Sequence, residues 1–121
     1  MRSRLRHIAT IGMFDKDVKA LKKKHVDLRL LIKPIRAIMD NDRALLDTKY
    51  RDHALTGNWN GYRELHVEGD WLLVYFIDDN DLVLVLTRTS THDELYSAKT
   101  RANDIRSYKK SERRPMRGDD A

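Results

Sequence analysis

Two apolar runs, WLLVYFI (residues 71–77) and LVLVLTR (residues 82–88), are joined by Asp78-Asp79-Asn80-Asp81. This pair constrains the fold more than any other feature. Runs of that length with so little polar interruption predict strands buried on both faces. The link is too short for a crossover, so the two strands must pair antiparallel. Before them, Tyr62–Val67 alternates, which sets Tyr62, Glu64 and His66 on one face and Arg63, Leu65 and Val67 on the other. Asn60-Gly61 marks the turn into this strand and Gly69-Asp70 the turn out of it. The three strands make a meander.

Ahead of the meander, LRHIATI (residues 5–11) predicts a first strand, ended by Gly12. Phe14, Val18 and Leu21 follow at helical spacing, with Asp15 as a cap or first-turn acid. A second helix is predicted over residues 27–39, its buried stripe formed by Leu28, Leu31, Ile32, Ile35, Ile38 and Met39. Pro34 lies inside that stripe, and because the periodicity continues across it a kink is expected. Residues 40–61 read as loop. The resulting order is β-α-α-β-β-β, an α+β fold with a helical hairpin on one face of a mainly antiparallel sheet and the other face open to a ligand.

Past Tyr96 the chain changes character. Residues 1–96 read as one domain and residues 97–121 as a basic extension. Ala98, Ala102, Ile105 and Tyr108 space a weak amphipathic helix, and SERRPMRGDDA is too polar to pack and is expected to be mobile.

Of 121 residues none is cysteine, which rules out a disulfide framework and a thiolate metal site. No apolar stretch is long enough to span a bilayer and the start carries no signal-peptide h-region, so a cytoplasmic protein without membrane contact is expected. Charge is unevenly placed: the balance is +7 over residues 1–40, −6 over 41–96 and +4 over 97–121. Clustered basic charge at both ends suggests a polyanion, nucleic acid above all, with a solvated basic surface as the alternative. The candidate RNA contacts are Lys19, Lys22, Lys23, Arg29, Lys33 and Arg36 on the helices, with Trp71 as a stacking residue; Trp59 is the other candidate.

The acidic middle holds three of the five histidines, His53, His66 and His92, with Asp70 and Arg88 beside strand-like runs. Histidine titrates near neutrality and can both take and give protons. Several histidines with a fixed cation are what acid–base cleavage of a phosphodiester needs. Gly69-Asp70 can also be simply a capped turn, and a lone loop histidine is usually a solvated one. A zinc site is disfavoured because no pair has HxH or HxxxH spacing.

The combined motif DHxLxGxWxGYRELHVxGDWLLVY and RTxTHxELY resembles the YafQ-type branch of the RelE/ParE toxin superfamily, toxins of bacterial toxin–antitoxin pairs. The resemblance implies a RelE-like fold and endoribonuclease action on messenger RNA, typically on the translating ribosome, with no cofactor. It implies that His53, His66, Asp70 and His92 carry the reaction, with Arg88 and Tyr96 in the last motif. Tyr96 stands where the family usually has phenylalanine, and Ser90 where a glycine is common. Messenger RNA, ribosomal RNA and a cognate antitoxin are the implied partners. The expected reaction is a metal-independent transesterification with His53 as base, His92 as acid, His66 and Asp70 orienting the phosphate or the base, and Arg88 offsetting charge. ParE-like relatives instead inhibit DNA gyrase by binding, which is the competing expectation.

Overall fold

The computed structural model describes residues 5–116. Strand β1 (His7–Ile11) leads directly into helix α1 (Gly12–Lys23). A 3-10 turn (Leu28–Leu31), α2 (Ile32–Asp40) and α3 (Arg43–Thr48) follow, then the two-residue β2 (His53–Ala54) and a second 3-10 turn (Gly57–Trp59). The meander is β3 (Arg63–Glu68), β4 (Trp71–Asp78) and β5 (Val83–Thr91). The short α4 (His92–Tyr96), α5 (Ala102–Tyr108) and β6 (Arg113–Pro115) complete the described chain.

The described strands form one six-stranded sheet in the order β2-β3-β4-β5-β1-β6. All pairs are antiparallel except β1 with β5, which the intervening helices permit to run parallel. The apolar runs behave as their composition demands: Leu72, Leu73, Val74, Tyr75, Leu84, Val85 and Leu86 are all buried. Full burial of such side chains contributes about 1.5–3 kcal/mol each. In the β3–β4 turn Gly69 takes φ +53°, as the first central position of a type II′ hairpin requires.

On α1, Phe14 and Leu21 are buried and Val18 is half-buried, as their spacing predicts. Asp17 is buried with them, which the spacing does not predict.

Three expectations are corrected. The 27–39 helix is not one kinked helix but a 3-10 turn followed by α2. Pro34 falls in the first turn of α2, where no intrahelical acceptor waits for its missing N–H, so the break costs little. Ile32, assigned to the buried stripe, is 39% exposed. Residues 40–61 are not merely loop: Asp42 caps α3 by accepting the Leu45 N–H, and β2 adds an edge to the sheet.

The third concerns the extension. Ile105 and Tyr108 are buried as predicted, but Arg113–Pro115, expected to be mobile, pairs with β1 as β6. Arg113 bonds Asp78 and Arg114 bonds Asp15 (each 2.8 Å), so the charges that argued against packing are what fasten the strand. Residues 117–121 lie outside the described residues.

Candidate active site

The strand register builds the site. His53 pairs with Glu64 and Glu64 with Val74, while His66 pairs with Leu72 and Leu72 with Ser90. Glu64 and His66 are alternate residues of one strand and face the same way, as the alternation predicts. Their cross-strand neighbours share that face.

Glu64 is the hub. Its side chain is only 6% exposed, and Oε1 lies 3.7 Å from Nε2 of both His53 and His66. Tyr96 donates its phenolic O–H to the other oxygen. The His53 and His66 ring centroids are 6.4 Å apart. His92 and Tyr96, one turn apart on α4, lie with ring centroids 4.8 Å apart and tilted by 53°, which ties the third histidine to the same carboxylate.

Arg51 sets the state of both strand-side imidazoles. It has a left-handed backbone (φ +50°), uncommon outside glycine, and this turns the chain into β2. His53 Nδ1 lies 2.8 Å from the Arg51 carbonyl oxygen, which can only accept, so Nδ1 carries the proton and Nε2 of the neutral ring is basic. His66 Nδ1 lies 3.1 Å from the Arg51 guanidinium, which can only donate, so in His66 the neutral ring holds its proton on Nε2. Burial first, then the Arg51 cation, push His66 below its ordinary pKa, while Glu64 works in the other direction. Nearby His53 and His92 act in the same sense as Arg51 when charged. Burial, then Glu64, raise the Tyr96 phenol well above its ordinary value and keep it a donor.

Asp52, the acid of the DH motif, is structural. It is buried, accepts from Arg63 Nε (2.8 Å) and from the Tyr75 phenol, and pairs with Arg63 Nη2 (2.7 Å). That network anchors the segment carrying Arg51 and His53.

The other expected site residues are placed differently. Asp70 is exposed at the β3–β4 turn. It sits one position before the Trp71–Thr91 pair, as His92 sits one position after it, so both occupy one end of the β4–β5 ladder. Among the described residues Asp70 makes no hydrogen bond or ion pair; it lines a groove with Lys24, Trp71, Thr91 and Glu94. Arg88 does not face the histidines as a free cation. It is buried, donates to Asp17 through Nε (2.7 Å) and Nη2 (3.0 Å), and donates to the Tyr108 hydroxyl (2.9 Å). Its row of the sheet sets it two strands from Glu64, about 10 Å. Trp71 is buried and donates its indole N–H to Thr89 (2.7 Å), so its ring is not open for stacking. Ser90 has no left-handed backbone and continues β5, so serine fits without strain. Lys19, Lys22, Lys23, Lys33 and Arg36 are exposed, as is Arg29, which pairs with Asp27.

Sequence reasoning missed Glu64 and Arg51 as site residues. Glu64 was legible as the acid two residues before His66 on the same strand face; nothing signalled the left-handed turn at Arg51.

A six-stranded mixed sheet with helices and a cluster of histidines on its meander is the architecture expected of a small bacterial toxin of the YafQ type. The chain belongs to the YafQ family, bacterial toxins of type II toxin–antitoxin systems, whose family model matches residues 6–97. The mRNA interferase toxin YafQ of Escherichia coli K12 is 41% identical over 91 residues, 75% of this chain and 96% of that protein. The crystal structure of YafQ from E. coli BL21(DE3) superposes with a TM-score of 0.65 at 36% identity, covering 80% of this chain and all of the other. YafQ in the E. coli DinJ–YafQ toxin–antitoxin complex gives a TM-score of 0.66 at 37% identity, covering 78% of this chain and all of that one.

Proposed function

We propose that this chain is an endoribonuclease that cleaves messenger RNA on the translating ribosome and is held inactive by a cognate antitoxin. The observation that carries the reading is the convergence of His53, His66 and the His92–Tyr96 pair on Glu64. The name of the E. coli K12 relative, an mRNA interferase, supports the activity, and the DinJ–YafQ complex supports the antitoxin.

His53 is the base, because its Nε2 is the nitrogen left free by the Arg51 carbonyl. It takes the proton of the ribose 2′-OH. The oxygen attacks the adjacent phosphorus, and the bond from phosphorus to the 5′ oxygen breaks. His92, exposed on α4, gives the proton of its imidazolium form to that leaving oxygen. The products are a 2′,3′-cyclic phosphate and a 5′-OH. His66, kept neutral by burial and by Arg51, donates Nε2–H to a non-bridging oxygen, and Arg51 supplies the charge that the motif assigns to Arg88. Asp70 stands beside His92 to orient it or the phosphate.

The acidic surroundings bind a free strand weakly. The exposed lysines and arginines of α1 and α2 hold ribosomal RNA instead, which confines the action to the cytoplasm. The test is a translating extract: messenger 5′ ends mapped after incubation should show new 5′-OH termini. Intact messenger together with inhibited supercoiling by DNA gyrase would sink the reading. Efficient, salt-insensitive cleavage of naked RNA would sink the ribosomal part alone.

A further inference from the structure

Residues 98–116 lie beyond the stretch that matches the toxin family, yet they are built onto the face that carries the site. Tyr62 shares the β3 face of Glu64 and His66, and its hydroxyl donates to the Ile105 carbonyl of α5 (2.7 Å). Trp59 bridges the two regions, its ring 6.1 Å from Tyr108 and 5.7 Å from Tyr96. An aromatic wall therefore runs from α5 to the tyrosine that bonds Glu64.

The described cations of the extension divide into two sets: Lys99, 3.9 Å from Glu94, is paired, as are Arg113 and Arg114, and the other four are not. Arg113 and Arg114 are spent on Asp78 and Asp15 and fasten β6. Arg101, Arg106, Lys109 and Lys110 are exposed, and none has a carboxylate within ion-pair distance among the described residues. The partner of the Arg106 guanidinium is the neutral Asn103, and the Asp104 carboxylate is turned to the Arg101 backbone N–H. Lys109 is pinned with its Nζ 5.0 Å from the Tyr62 ring centroid and 5.3 Å from that of Phe76. Gly61 makes room for it: a Cβ there would come within 2.5 Å of Nζ. Four cations thus stand on or at the ends of α5, which packs through Tyr62 and Trp59 onto the site face, and the site's own exposed charges include Asp70, Asp93 and Glu94. A phosphate chain reaching the histidines is repelled at the site and attracted beside it.

We propose that Arg101, Arg106, Lys109 and Lys110 form a docking surface for the phosphate backbone of single-stranded RNA, holding the strand whose scissile bond lies at the histidines. The substrate class rests on the ribonuclease reading; the surface itself can be tested without cleavage. The probe is a fluorescent oligomer of 2′-O-methyl RNA, which has no 2′-OH to attack. Its affinity for the full chain is measured across a salt series and compared with an Arg101→Ala/Arg106→Ala/Lys110→Ala variant. Lys109 is left in place because it packs on Tyr62, and an unchanged thermal midpoint confirms folding.

Removing three phosphate-binding cations should lower the slope of log affinity against log salt by about 2 and weaken binding roughly 100-fold at about 0.1 M salt. Unchanged affinity and slope would overturn the proposal. So would unchanged RNA binding with weakened binding of the cognate antitoxin, which would give the surface to an acidic protein. A parent that binds the oligomer through these residues but cleaves no messenger in a translating extract would remove the ribonuclease reading and leave the docking surface standing.

Discussion

Tyr96 donates its phenolic hydrogen to Glu64, the buried carboxylate that both strand-side imidazoles face. Phenylalanine at this position would have no such donor. Tyr96→Phe should therefore cost about 1–3 kcal/mol of stability, since a buried charged acceptor loses a partner. Urea unfolding at neutral pH measures this. In a double-mutant cycle with Glu64→Gln the two changes should be strongly non-additive; simple additivity would show that the phenol does not hold the carboxylate.

Arg51 and His66 give a prediction in pH. Burial is the larger cause of the lowered His66 pKa and the guanidinium at 3.1 Å the next, so Arg51→Ala should raise that pKa without restoring it fully. An NMR titration of the ring protons reads it directly. The folded state binds this proton less readily than the unfolded chain. Stability from this group is therefore full above about pH 6.5 and is lost as pH falls through the lower folded value. The Arg51→Ala protein should lose less stability over the same acidification.

Asp17 and Arg88 form a pair buried between α1 and β5, with the Thr89 N–H also donated to Asp17 (3.0 Å). Asp17→Ala leaves the guanidinium with only Tyr108 as partner. A loss of about 3–5 kcal/mol is expected, seen as a lowered denaturation midpoint. A protein as stable as the parent would mean that Arg88 had found water or another acceptor.

That pair also shows where sequence reading stopped. The central strands were legible because WLLVYFI and LVLVLTR carry a burial signal that survives any tertiary context, and the alternation of residues 62–67 placed Glu64 beside His66 for the same reason. Asp17 was not legible: on α1 it reads as a surface acid, and only the arrival of Arg88 from residues far along the chain makes its burial tolerable. The same holds for Arg113 and Arg114, whose charges argued for a mobile tail until Asp78 and Asp15 matched them. Trp71 misled in the opposite sense, since its indole N–H finds Thr89 inside rather than a base outside. Pairings between distant polar residues leave no periodic trace, so the histidine positions were visible while their electrostatic partners were not.

His92 supplies the sharpest functional prediction. It lies on the first turn of α4, exposed, with its ring against Tyr96 and no side-chain hydrogen bond or ion pair to a described residue. Its removal therefore disturbs little packing, and His92→Gln should fold with nearly the parental denaturation midpoint. Glutamine cannot protonate the leaving 5′ oxygen, so cleavage should slow by about 10²–10⁴-fold. Affinity for a non-cleavable strand should change little, because a proton donor acts mainly in the transition state. Single-turnover cleavage in a translating extract, set beside binding of the 2′-O-methyl oligomer, separates the two effects. A variant that cleaves at the parental rate would exclude His92 as the acid, and one that loses binding and cleavage in equal measure would make it a ligand for the strand rather than a proton donor.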